Sequence, residues 1–246
     1  MKKTFLCASF LAAALMIGAR ENPPPPTNNS PSALSNAPVR MVAPGIYEIG
    51  KVTLDQTSRT VAFPAVLNRS DVPMEYFLVT TYGKTHESIL KTAVPPYDIH
   101  IAMLLLGASG SGTANFPGSP TNGVPGPIIN PSAEAIPGNK VSIEIKWKTP
   151  SGEVSRSAED LIFKDDTKKN MPHGAWVYNG SLLVQGKFLS QVDGSIISLV
   201  TDPVALINNT GPGHDNDLIW LANTNNLPPT NLPVTVVVSL AETKPK

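Results

Sequence analysis

Between Lys140 and Lys148 apolar and polar residues alternate without a break. Val141, Ile143, Ile145 and Trp147 share one face, and Ser142, Glu144, Lys146 and Lys148 the other. A period of two predicts a strand half-buried in a sheet. Residues 75–82, rich in aromatic and β-branched types, predict another strand, with Gly83 and Lys84 as a turn or bulge leading into more strand through Leu90. Residues 46–54 and 59–67 predict a hairpin around Asp55-Gln56-Thr57-Ser58. Thr149-Pro150-Ser151-Gly152 turns residues 140–148 back into 153–156. Asp193-Gly194, between residues 187–192 and 195–200, is a hairpin signal. Residues 175–178, 218–222 and 234–240 complete a set of short strands.

The period changes between Tyr97 and Leu106. Ile99, Met103 and Leu106 form one stripe, with Ala102 and Leu105 beside it. Pro96 suits a first helical position and Gly107 a left-handed stop. A helix this short is marginal alone, so a sheet face must hold it. Asp202-Pro203 predicts a second short helix, through Leu206. Many short strands with two short helices predict an α+β fold: a single, mainly antiparallel domain with one helix packed on the sheet.

Patterning also divides the chain. Lys2-Lys3, the apolar residues 5–17 and the small pair Gly18-Ala19 predict a secretory signal peptide over residues 1–19, too short to span a bilayer. Residues 20–45 are rich in Pro, Asn and Ser and predict an extended tether. The domain is expected over residues 46–241. Within it, residues 108–138 form a long Gly/Pro/Ser-rich loop, read as a surface insertion or a lid. The expected location is exported, periplasmic or extracellular, with no transmembrane segment once the leader is removed.

Cys7 is the only cysteine and falls inside the leader. The remaining chain therefore has no disulfide, thiolate nucleophile, cysteine zinc site or iron–sulfur cluster. Lys+Arg and Asp+Glu balance at 19 each, and no basic patch interleaved with aromatics argues for nucleic acid. No cofactor is expected.

Candidate chemistry concentrates at Lys84, His86, Glu87 and Ser88, the only close grouping of His, Glu and Ser. On a strand, Lys84, His86 and Ser88 share a face. A Ser–His pair suits nucleophilic catalysis, but no Gly-x-Ser-x-Gly elbow occurs. A metal site would draw on His86 and Glu87 together with Asp98, His100 or His173, without His-x-x-x-His or His-Glu-x-x-His spacing. Alternatively, Lys84, His86 and Glu87 form a buried network pinning helix to sheet. His214-Asp215-Asn216-Asp217 looks like a cation loop but lacks the Gly and distal Glu of an EF-hand.

Several short motifs resemble the YdjY-domain family. They are Glu75-Tyr76, residues 83–88 (Gly-Lys-Thr-His-Glu-Ser), Leu104-Leu105-Leu106-Gly107, Trp147, Ala158-Glu159-Asp160, Trp176-Val177-Tyr178 with Gly180-Ser181, and Thr201-Asp202-Pro203. The resemblance implies a secreted or envelope bacterial protein and points to the His86 segment, but supplies no reaction. A ferredoxin-like label carried by some relatives does not suit a chain whose one cysteine, Cys7, leaves with the leader. The expected function is a non-enzymatic binding or envelope-associated module for a peptide, glycan or envelope partner. The alternative is a hydrolase or metal-dependent enzyme built on Lys84, His86, Glu87 and Ser88.

Overall fold

The computed structural model of the chain describes residues 37–110, 136–230 and 232–241. The expected leader lies outside them, as do residues 20–36 of the expected tether and 111–135 of the long loop.

In chain order the strands and helices are β1 (Val39–Ala43), β2 (Ile46–Ile49), β3 (Val52–Asp55), β4 (Thr60–Leu67), β5 (Tyr76–Thr80), β6 (Ser88–Thr92), α1 (Pro96–Leu105), β7 (Asn139–Thr149), β8 (Gly152–Ser157), β9 (Ile162–Lys164), β10 (Lys169–Asn170), β11 (Trp176–Tyr178), β12 (Leu183–Val184), β13 (Lys187–Phe188), α2 (Leu189–Asp193), β14 (Ser195–Ser198), β15 (Ile207–Asn209), β16 (Trp220–Ala222) and β17 (Pro233–Leu240). Single 3-10 turns fall at Thr85–Glu87 and Ala158–Leu161.

The α+β expectation is overturned. Of the described residues 44% are strand and 12% helix, and eight strands close into a barrel. Its circuit runs β4-β17-β7-β11-β15-β14-β5-β6 and returns to β4. β3, β2 and β1 extend from β4, β8 pairs with β7, and β10-β9-β16 forms a small separate sheet. Local pattern carries no sign of closure because closure joins segments far apart in sequence: β4 pairs with β17 and, at Val66 and Leu67, with β6.

Alternation survives where one strand face looks inward. Val61, Phe63, Ala65 and Leu67 of β4, Val141, Ile143, Ile145 and Trp147 of β7, and Val234, Val236, Val238 and Leu240 of β17 are all buried. Each such side chain contributes roughly 1.5–3 kcal/mol relative to exposure. β5, β11, β14 and β15 are buried at every residue, as for strands covered on both faces. Pro64 is tolerated in β4 because it sits in a gap in the ladder. β3 pairs as far as Ala62, β6 starts at Val66, and the Pro64 carbonyl on that side accepts Thr92 Oγ1–H at 2.6 Å.

Four local expectations change. Residues 46–54 are two strands, broken by a turn at Gly50-Lys51. Val39–Ala43, inside the expected tether, pairs with β2. Asp202-Pro203 starts no helix: Asp202 Oδ1 accepts Val204 N–H at 2.9 Å, closing one turn that leads into β15. Gly194, at φ 82°, ends α2 rather than turning a hairpin. Hairpin turn and helix end both demand a left-handed residue, so Asp-Gly fits either.

α1 forms as expected. Pro96 opens it, and it closes on a Schellman motif in which Gly107 N–H bonds Leu104 C=O at 2.9 Å and Ala108 N–H bonds Met103 C=O at 3.0 Å. Ile99, Ala102 and Met103 are buried, and the helix packs against β2, β3, β4 and α2.

Candidate functional site

The segment singled out by sequence comes apart in three dimensions. Residues 85–87 form a 3-10 turn rather than strand, so face-sharing is lost. Asn68 Nδ2 holds the turn by donating to the carbonyls of Thr85 (2.6 Å) and Ser88 (2.9 Å). The His86 side chain is 73% exposed and lies 3.5 Å from Glu87 Oε2. Ser88 is fully buried and donates to Leu90 C=O at 2.7 Å. No Ser88–His86 hydrogen bond forms among the described residues. The expected network through His86 is likewise absent among them.

Lys84 goes elsewhere. β5 and β6 run parallel, so the chain after β5 doubles back to the strand's beginning. There Lys84 Nζ donates to Tyr76 Oη at 2.6 Å, Tyr76 Oη–H donates to Asp202 Oδ2 at 2.9 Å, and Lys84 pairs with Asp193 at 3.3 Å. Burial alone would lower the Lys84 pKa, but the Tyr76 hydroxyl and the carboxylates of Asp202 and Asp193 hold it above its ordinary value. Burial, then Asp202, raises Tyr76. The ammonium stays charged and the phenol neutral.

The network continues inward. Asn208 Oδ1 accepts Asp202 N–H at 2.8 Å, while Asn208 Nδ2 donates to Asp202 C=O and to Asn179 Oδ1, each at 2.9 Å. Asn179 Nδ2 donates to Ala205 C=O at 2.8 Å. Asn179 and Asn208 were not singled out in the sequence. A lone Asn reads as a turn residue, and only the fold aligns these with Asp202.

Asn179 also lines a cavity of about 430 Å³ between α1 and the segment from β11 to β13. Tyr97, His100, Ile101 and Leu104 of α1 form one wall, and Gly180, Ser181, Leu183 and Phe188 much of the other. Successive left-handed residues, Gly180 (φ 83°) and Ser181 (φ 64°), bend the chain around it. The second is unusual for a side-chain-bearing residue and marks backbone held in place by its surroundings. Ser181 Oγ does the holding: it donates to Val204 C=O at 2.5 Å and accepts Ser190 N–H at 3.0 Å.

His100, considered in the sequence only as a metal ligand, stands in this wall. Its Nδ1 is 2.7 Å from Tyr178 Oη, and its ring centre is 4.7 Å from that of Phe188. Burial pushes the imidazole down to about 4 from 6.5 and pushes the Tyr178 phenol up. The unfolded chain therefore binds a proton that the folded state refuses, and stability falls as pH drops from 6.5 towards 4. Urea unfolding should show a loss of about 2–3 kcal/mol from this group across that window. The loss should be much smaller in His100→Phe; superimposable pH profiles for the two proteins would contradict it.

The other histidines lie apart. His173 Nδ1 is 3.2 Å from Ser157 Oγ, and its Nε2 is 3.3 Å from Asp160 Oδ1, a hydroxyl, imidazole and carboxylate in a row. The hydroxyl, however, donates to buried Glu159 at 2.6 Å. Its hydrogen is turned from the imidazole, so His173 is not placed to take it as a base. His214 Nδ1 lies 2.7 Å from Thr201 Oγ1, and Asp215 to Asp217 are exposed. Among the described residues no three His, Cys, Asp or Glu side chains are grouped to hold a metal, and no helix is long and apolar enough to cross a membrane.

A family model described as YdjY domain matches residues 52–239. No curated protein and no solved structure matches the chain.

Proposed function

The chain belongs to the YdjY-domain family, and from that premise we propose that it is an exported, non-enzymatic binding module whose ligand enters the cavity between α1 and β11–β13. The observation that carries this reading is the cavity itself. At about 430 Å³ it has the size of a small-molecule site, with mainly aliphatic and aromatic walls and a few polar groups. Support for binding over catalysis comes from its hydroxyls. The two serines that line it are engaged elsewhere: Ser181 Oγ donates to Val204 C=O and accepts Ser190 N–H, and Ser109 Oγ donates to Asn139 Oδ1 at 3.4 Å. Each turns its hydrogen to a carbonyl oxygen and not to an imidazole or carboxylate that would make it a nucleophile. Export is supported by Lys2-Lys3, the apolar residues 5–17 and the proline-rich stretch that follows.

The neutral apolar fluorophore N-phenyl-1-naphthylamine tests the site. The folded protein should bind it at micromolar concentration. Leu104→Trp, which fills the rim from a half-exposed position, should weaken binding at least roughly ten-fold with the melting temperature unchanged. No binding, or binding indifferent to Leu104→Trp, would remove the proposal's support. Export is checked by the mass of the protein recovered from cells: the chain should begin at Arg20, and a cytoplasmic protein that keeps Met1 would count against it.

A further inference from the structure

Resting on that binding role, we infer that the cavity selects an uncharged molecule with an aromatic or apolar body and one carbonyl-type acceptor, which His100 Nε2–H receives. The argument starts at Tyr178. Its side chain is fully buried, and the one hydrogen-bond partner of its hydroxyl among the described residues is His100 Nδ1, at 2.7 Å. A buried hydroxyl that fails to donate leaves its hydrogen unsatisfied, which costs more than the bond is worth in water. Tyr178 O–H therefore donates to Nδ1. A neutral imidazole accepting on one nitrogen carries its hydrogen on the other.

The tautomer is thus set from behind, and Nε2–H is a donor. It has no hydrogen-bond partner among the described residues, and His100 lines the cavity. Around it stand the rings of Phe188 and Tyr97, with centres 4.7 and 6.3 Å from that of His100. They suit a flat apolar body.

Charge is selected against by the same walls. Among the described residues no Lys, Arg, Asp or Glu lines the cavity, so an ion entering it would shed hydration without a counter-charge from them. The imidazole supplies none either, since burial keeps it neutral. A neutral acceptor loses little on entry and gains the Nε2–H bond.

Three molecules of one shape separate the terms: acetophenone offers a carbonyl, α-methylstyrene replaces that oxygen by a methylene, and benzoate adds a charge. Affinities are measured by calorimetry on the full chain. The side-chain nitrogens of His100 are observed by 15N NMR in the wild type, which needs no variant. Acetophenone should bind roughly ten-fold more tightly than α-methylstyrene, the scale of one hydrogen bond, and more tightly than benzoate. His100→Phe should erase the advantage over α-methylstyrene while both still bind. NMR should show hydrogen on Nε2 and a bare Nδ1. Equal affinity for the two neutral molecules, tightest binding of benzoate, or hydrogen on Nδ1 would each overturn the inference and leave the binding role standing. If no molecule of the three binds, and N-phenyl-1-naphthylamine does not bind, the binding role falls and takes the inference with it.

Discussion

Asn208→Ala is expected to lower the unfolding free energy by about 3–5 kcal/mol, because it orphans several buried groups at once. Asn208 is fully buried and makes three side-chain bonds, to Asp202 N–H, Asp202 C=O and Asn179 Oδ1. Alanine keeps none of them and leaves a small void. Each buried partner left unpaired costs about 1–3 kcal/mol. Asp202 also holds the Tyr76 hydroxyl, which holds Lys84, so loosening the Asp202 turn loosens the return of the chain from β5 to β6. Asn225, exposed near β16, provides the control, and its change to alanine should be worth no more than about 0.5 kcal/mol. Urea unfolding followed by tryptophan fluorescence measures both; a loss below about 1 kcal/mol for Asn208→Ala would mean that water enters and replaces the lost partners.

Gly194→Ala is expected to cost about 2–4 kcal/mol, and for two separable reasons. The residue sits at φ 82°, ends α2 with its N–H on Ser190 C=O at 2.8 Å, and offers its carbonyl to Thr80 N–H at 2.8 Å. A methyl group there meets a left-handed backbone penalty of about 1 kcal/mol. It also runs into Thr80 Oγ1 and comes within 2.8 Å of Gly83 Cα, so a glycine-to-glycine crossing must open. Overpacking of this kind costs about 1–3 kcal/mol. Gly186 separates the two contributions, for it has φ 75° and nothing within 4 Å of an added methyl. Gly186→Ala should therefore lose only the backbone share. Equal melting temperatures for the two variants would show that the crossing at Gly83 yields freely.

Strands with one wet face were legible from their alternation, whereas those buried on both faces were read from composition and flanking turns, as β5, β11 and β14 were, or missed, as β15 was. Val141, Ile143, Ile145 and Trp147 announce β7 because solvent on one side enforces alternation. β14 and β15, buried throughout, carry no such mark. α1 could be read because Pro96 and Gly107 act locally. The parallel return from β5 to β6 could not, since it depends on Lys84 finding Tyr76, and a turn-forming Gly83 suggests a hairpin equally well. His86 drew attention as the histidine beside Glu and Ser, yet the 3-10 turn carries it out to solvent. His100 and Tyr178 lie 78 residues apart, and no spacing rule joins them. They meet because the fold brings α1 against the end of β11 behind the cavity wall.

Barrel closure also governs the order of events when the chain is made. β4 belongs to its first third, while β17 is its last described strand. Yet β17 pairs with β4 over residues 60–66 and with β7 over residues 141–146. Until Leu240 has left the ribosome, the facing edges of β4 and β7 have no neighbour, and the interior has an open wall. Contacts this distant form slowly, since a long loop must be closed before they contribute. A nascent chain therefore remains unclosed until β17 has been made. On the exported reading, that delay keeps it threadable: the leader emerges first, the strand that locks the barrel emerges last, and translocation has the interval between them.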